Sequence, residues 1–294
     1  MLLRTVLGLA CLAVPAGAAA TRWSTLVAGH PAYPVLLGVV ALVGVVLLAT
    51  ARRGRPASPA RTAGRIAGAI LVVAVLAATL WLRPYAADDV AVAAADPSST
   101  VDVVSSPTAW ELRPVRPDGA GVVFFPGALV DPRAYLALLR PLAEQGHLVV
   151  VVTPPLDVAL LASATAAFDR HPAVTSWAVG GHSLGGVAAA RAVGDPRVRG
   201  LFLWASYPAA DLSDAAVAAT SISGERDGLA TPADVDASRT TLPPATVFTE
   251  VPGAVHAFFG DYGPQTGDGV PTTDRATAQR QIVAATAAFV DGLG

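Results

Sequence analysis

Val179-Gly180-Gly181-His182-Ser183-Leu184-Gly185-Gly186 joins two runs of different character. Before it, Ser176 to Gly180 is short and apolar and reads as a strand. After it, Leu184 to Val193 is Ala-rich and reads as a helix. Gly181 and Gly185 stand two residues before and two after Ser183. A serine in that position fits a sharp strand-to-helix turn. Small neighbours let strand and helix approach closely, the turn lifts the hydroxyl above the sheet, and the helix N-terminus favours negative charge developing there. In a chain with 27 glycines the spacing alone is modest evidence. Its weight comes from the strand before it and the helix after it.

The same alternation extends to both sides. Gly121 to Phe125 reads as a strand broken by Pro126-Gly127. Pro132 to Gln145 reads as a helix capped by Asp131 and ended by Gly146. His147 to Thr153 is an unbroken apolar run, the form of a parallel strand buried on both faces. Asp157 to Arg170 follows as a helix, Leu201 to Ala205 and Val217 to Ser223 as strands, and Thr231 to Thr241 as a helix. Ala245 to Val251 reads as the last strand and Thr273 to Leu293 as the closing helix. Strands alternating with helices predict a mostly parallel sheet covered on both faces, over residues 108–294. The stretch from Tyr207 to Ala216 is too short for a large inserted lid.

A serine hydroxyl is a weak nucleophile and needs a base. Of five histidines, His30 lies between apolar runs, His147 opens a strand, and His171 precedes a proline. His182 adjoins Ser183 but is expected to point away from it. His256, in the loop after the last strand, is the candidate base. The acid that orients it is expected between the two, and Asp227 in Gly224-Glu225-Arg226-Asp227 is the choice, with Asp211 as fallback. The order Ser, Asp, His and the G-x-S-x-G turn go together. An oxyanion hole needs two backbone N–H groups. Leu184 supplies one, and Ala128 or Leu129 the other, with Gly127 permitting the approach. Gly127, Leu129 and Tyr207 are candidate substrate contacts. Phe258 to Gln265, with Trp204 and Ser206, either lines the pocket mouth or is a plain surface loop in which Asp268-Gly269 makes a turn.

From about Trp110 onward the chain resembles the α/β-hydrolase superfamily, in particular small cap-less members close to dienelactone-hydrolase-like and esterase/lipase-like proteins. The resemblance rests on Phe124-Phe125-Pro126-Gly127-Ala128, Gly181-His182-Ser183-Leu184-Gly185-Gly186, Gly224-Glu225-Arg226-Asp227-Gly228 and Gly253-Ala254-Val255-His256. It covers roughly the last 185 residues and implies hydrolysis of an ester or related acyl bond through an acyl-enzyme. Two departures bear on the substrate: serine stands where dienelactone hydrolases use cysteine, and Pro126-Gly127 stands where many esterases have His-Gly.

The first third has another character. The chain is 53% hydrophobic and 14% charged, with mean hydropathy +0.53. Three uncharged runs, Thr5 to Thr21, Tyr33 to Thr50 and Ile66 to Leu82, come close to the ~20 residues that span a bilayer as helix. Residues 51–65 hold Arg52, Arg53, Arg55, Arg61 and Arg65 and no acid, which by the positive-inside rule makes this loop cytoplasmic. The third run then exits, and the α/β domain lies on the extracytoplasmic side. The first run also has the form of a cleaved signal peptide. The expected layout is a membrane anchor over 1–85, a tether over 86–107 and the α/β domain over 108–294. Every one of the 20 basic residues is arginine. With the Ala and Val excess, this fits a GC-rich bacterial source and a place in its cytoplasmic membrane.

Net charge is −2, so no basic field draws nucleic acid. Without lysine there is no P-loop, and a lone Cys11 makes neither a disulfide nor a zinc site. No cofactor or metal is expected. The expected partners are a small-molecule or lipid ester and the membrane. Two alternatives share the sequence: an acyltransferase with the same three residues, and a membrane-tethered binding domain that keeps the fold without catalysis.

Overall fold

A computed structural model describes residues 2–52 and 58–293. It forms two compact units, Met1–Pro84 and Tyr85–Gly294.

The first unit holds three helices, α1 (Leu2–Ala28), α2 (Ala32–Thr50) and α3 (Pro59–Trp81), each long and apolar enough to cross a membrane. Glycine sets the approach of α1 to α2. A Cβ placed on Gly44 would lie 2.8 Å from the Gly8 carbonyl and 2.9 Å from the Cys11 Cβ, the small-residue packing that lets apolar helices touch backbone to backbone. The Tyr33 hydroxyl donates to the Thr79 carbonyl at 2.9 Å, tying α2 to α3 through a buried bond. Within the arginine-rich loop, Arg53 and Arg55 lie outside the described residues.

In the second unit an eight-stranded sheet runs through β1 (Val101–Ser106), β2 (Ala109–Pro114), β3 (Ala120–Phe125), β4 (Leu148–Val152), β5 (Ser176–His182), β6 (Val198–Trp204), β7 (Ala218–Gly224) and β8 (Val247–Val251). Their spatial order is β1-β2-β4-β3-β5-β6-β7-β8. β2 is antiparallel to β1 and β4, and the other neighbours are parallel. The helices are α4 (Asp89–Ala93), α5 (Leu136–Gln145), α6 (Thr165–Arg170), α7 (Leu184–Ala190), α8 (Pro232–Ala237) and α9 (Arg275–Asp291). Side chains alternate across the strands. Val122 and Phe124 join Phe202 and Trp204 beneath Leu136, Leu139 and Ile282 of α5 and α9. Val123 and Phe125 face the opposite way, toward Phe168 and Ala188 of α6 and α7. All five residues of β4 are buried, as its unbroken apolar run predicts.

Three expectations need correction. The stretch 86–107 is no tether, since it contains α4 and the edge strand β1. Val101 is fully buried there and Val103 packs on the core. Alternate valines in Val101-Asp102-Val103 carry a strand signal that the Ala, Asp and Ser around them dilute. The helix expected over Asp157–Arg170 becomes two 3-10 turns followed by α6. Pro154-Pro155 leads into Leu156 and Asp157 at φ 56° and 54°, a left-handed pair that cannot enter a helix. Residues Pro132–Tyr135 are a 3-10 turn, with the α-helix starting only at Leu136.

Candidate active site

Ser183 lies between β5 and α7 at φ 53°, ψ −126°, a conformation that costs an L-residue about 1–3 kcal/mol. Its neighbours explain why the turn holds. A Cβ on Gly181 would collide with the Gly185 backbone, and one on Gly185 with the Phe125 carbonyl, so only glycine admits this approach. The Ser183 amide donates to the Trp204 carbonyl at 3.0 Å. Its carbonyl accepts the Ser206 hydroxyl at 2.6 Å. Among the described residues, the non-glycine residues with positive φ are Leu129, Leu156, Asp157, Ser183 and Ala205. They follow the carboxyl ends of β3, β4, β5 and β6, so the strained backbone gathers on one edge of the sheet, as it does around functional sites.

Asp227 and His256 meet at that edge. Asp227 Oδ2 lies 2.8 Å from His256 Nδ1, and the two side chains are 0% and 1% exposed. The other carboxylate oxygen accepts the amides of Leu229 and Ala230, each at 2.8 Å. Three nitrogens thus converge on this buried carboxylate and fix its orientation. His256 Nε2 is buried and has no hydrogen-bond partner among the described residues, the Ser183 hydroxyl included. Such contacts are often long in a free site and tighten with substrate. The fallback acid Asp211 is exposed and accepts the amide of Ser213 in a surface turn, where that bond holds its pKa below the usual value.

The turn after β3 distinguishes among its amides. Gly127 N–H donates to the Tyr135 hydroxyl at 2.9 Å, and Leu129 N–H to the Asp157 carbonyl at 2.8 Å. Among the described residues nothing accepts the amide of Ala128, nor that of Leu184 at the start of α7. Gly127 itself is buried, and a Cβ there would meet His182 Nδ1 at 2.7 Å. The same Tyr135 hydroxyl shares a hydrogen bond with His182 Nδ1 at 2.9 Å. Burial and the neighbouring His256 push the His182 pKa well down, and burial pushes the Tyr135 phenol up. An intact phenol and a neutral imidazole can each donate or accept in this bond. His182 is fully buried, stacks on Phe259 and has its ring centroid 4.5 Å from that of His256.

Four residues weighed for the pocket mouth lie elsewhere. Phe259, Tyr262 and Trp204 are core residues, fully buried, and do not line a pocket mouth. Ser206 holds the Ser183 carbonyl instead of facing solvent. Tyr207 is 37% exposed just beyond β6. The sequence reading placed Asp157 at a helix start and Asp268 in a turn and gave neither a role in the site. Asp157 is buried beside the ion pair of Asp131 and Arg133 (2.7 Å). Burial, reinforced by Asp131, raises its carboxyl to about 7. Asp268 accepts backbone amides from both the acid and the histidine loops. Its one sequence signal is Gly267-Asp268-Gly269, a carboxylate between two residues that leave its surroundings open.

Residues 121–281, more than half of the chain, match the family model described as "Alpha/beta hydrolase family". No curated protein matches the chain. Among solved structures, TT1662 from Thermus thermophilus is similar at 17% identity and TM-score 0.50, covering 65% of this chain and 98% of that one. Esterase 2 of Thermogutta terrifontis, phosphoramylated by tabun, gives 13% identity and TM-score 0.47 over 68% of this chain and 97% of that one.

Proposed function

The chain belongs to the alpha/beta hydrolase family, and we propose that it is a serine hydrolase that cleaves an ester or related acyl bond through an acyl-enzyme. The observation that carries this reading is the buried Asp227–His256 pair, 2.8 Å apart, at the same sheet edge as Ser183 on its strained turn. Ser183 Oγ attacks the acyl carbonyl carbon while His256 Nε2 takes its proton. Asp227 keeps the imidazole oriented through Nδ1 and stabilises the imidazolium. The amides of Leu184 and Ala128, which have no acceptor among the described residues, receive the developing oxyanion. The imidazolium then protonates the leaving alcohol, and water deacylates Ser183 by the same route in reverse. Gly127 shapes the oxyanion turn, and Leu129 and Tyr207 border the acyl site.

The substrate is a small-molecule or lipid ester, and the three apolar helices anchor the enzyme in a bacterial cytoplasmic membrane. The arginines between the second and third helices favour an extracytoplasmic catalytic domain. The test is labelling of the full chain in detergent with a fluorophosphonate, which phosphonylates activated serines with loss of fluoride. Wild type labels and Ser183→Ala does not. Folded wild type that stays unlabelled would falsify the hydrolase reading and favour a tethered binding domain.

A further inference from the structure

The two loops that carry Asp227 and His256 come from different strands, β7 and β8, and meet at their bases, where the Glu225 amide donates to the Val251 carbonyl, the Arg226 amide to the Ala254 carbonyl and the Gly253 amide to the Glu225 carboxylate. Nearer the Asp227–His256 contact itself, a further link comes from farther along the chain. Asp268 Oδ1 accepts the Gly228 amide at 3.3 Å, next to the acid, and the His256 amide at 3.0 Å. Its Oδ2 accepts the Ala257 amide at 2.9 Å, and the Gly269 amide closes on Oδ1 at 2.7 Å. One carboxylate therefore holds the backbone on both sides of the Asp227–His256 contact. The surrounding glycines permit this. A Cβ on Gly228 would lie 2.7 Å from the Gly267 carbonyl and 2.7 Å from the Gly269 amide. A Cβ on Gly269 would run into the Arg226 carbonyl. The turn Gly267-Asp268-Gly269 is thus seated against the acid loop by two positions that only glycine can fill.

We propose that Asp268 is a positioning residue for the reaction: it sets the histidine loop against the acid loop, and so sets where His256 Nε2 stands relative to Ser183. The inference rests on the serine-hydrolase reading. Asp268 touches no reacting atom. Its action is geometric, and a misplacement of about 1 Å in such a site costs ~10²-fold in rate. An amide-to-carboxylate bond is also roughly twice as strong as a neutral one, and here several converge on one group.

The experiment measures fluorophosphonate labelling of the full chain in detergent, separating the maximal inactivation rate from the half-saturating probe concentration. Wild type, Ser183→Ala, Asp268→Ala and Asp268→Asn are compared, with thermal unfolding of each. Asp268→Ala, which removes every acceptor, lowers the maximal rate by about 30-fold or more and leaves half-saturation within about twofold. Asp268→Asn keeps an oxygen for Gly228, His256 and Gly269 but turns its carboxamide NH2, a donor, toward the Ala257 N–H, so its rate falls between the other two, about 3- to 10-fold below wild type. That graded order, with folding retained, supports the inference. A folded Ala or Asn variant that labels within twofold of wild type overturns it and leaves the hydrolase reading intact. If the Ala variant does not fold, the Asn variant decides on the same criterion. Wild type that fails to label overturns both.

Discussion

At single residues, the site depends on groups whose charge is set by burial. Asp157 is the clearest case, because its carboxyl is buried beside Asp131, whose carboxylate is paired with the Arg133 guanidinium. Its folded pKa of about 7 exceeds its unfolded one, near 3.9. The folded state therefore binds the extra proton, and stability falls as pH rises between those values. The contribution is complete below about pH 4 and lost above about pH 7, by at most roughly 4 kcal/mol. Asp157→Asn removes the ionisation and keeps the shape. It is expected to unfold at a higher temperature than wild type at pH 8 and close to wild type at pH 4.5. A variant with the same pH dependence as wild type would show that Asp157 is not the group responsible. Because the Asp157 carbonyl receives the Leu129 amide, the same acid also sits against the turn that presents Ala128.

Among the elements, the extended stretch from Tyr85 to Asp88 matters most for the site. Tyr85 pairs with Val130, its amide donating to the Leu129 carbonyl at 2.7 Å and its carbonyl accepting the Asp131 amide at 3.0 Å. Two residues on, Ala87 pairs with Tyr262, and the Asp88 amide donates to the Asp261 carbonyl at 2.8 Å. One short segment therefore buttresses both the turn after β3 and the loop that follows His256. In Tyr85→Pro the donor to Leu129 is gone. The labelling rate is expected to fall about tenfold, a fraction of the ~10²-fold that outright loss of an oxyanion donor costs. Tyr85→Phe, which keeps the main chain, labels like wild type. Equal rates in the two variants would remove the segment from the account of the site.

For the chain as a whole, three apolar helices precede an α/β hydrolase domain. The helices present apolar side chains outward along their length, with Val39, Leu42, Ile70 and Leu71 all more than half exposed. Hydrocarbon, not water, suits such surfaces. The chain is expected to stay in the membrane pellet after alkaline carbonate extraction. In spheroplasts a tag after residue 294 is expected to be digested by external protease, while one inserted among residues 53–57 is spared. Release by carbonate would exclude the anchor, and the opposite protection pattern would exclude the extracytoplasmic orientation without touching the hydrolase reading.

How much was legible in the sequence follows from how far each signal reaches along the chain. The strand runs, the helix stop at Gly146, the helix start at Thr231-Pro232, the apolar spans and the G-x-S-x-G turn are short-range patterns, because backbone geometry and burial impose them on neighbouring residues. They sufficed for the fold class, and Asp227 and His256, chosen from chain order, do meet. Contacts between segments distant in sequence leave no such pattern. Nothing near Val101 announces that β1 will cap the sheet beside β2, since that depends on a partner strand. Nothing near Leu129 says that its amide is consumed by Asp157 while that of Ala128 is left open. The Tyr135–His182 bond spans 47 residues, and Asp268 reaches back 40 to Gly228. Hydrogen-bond partners of this kind are chosen by three-dimensional proximity, and only the folded chain supplies it.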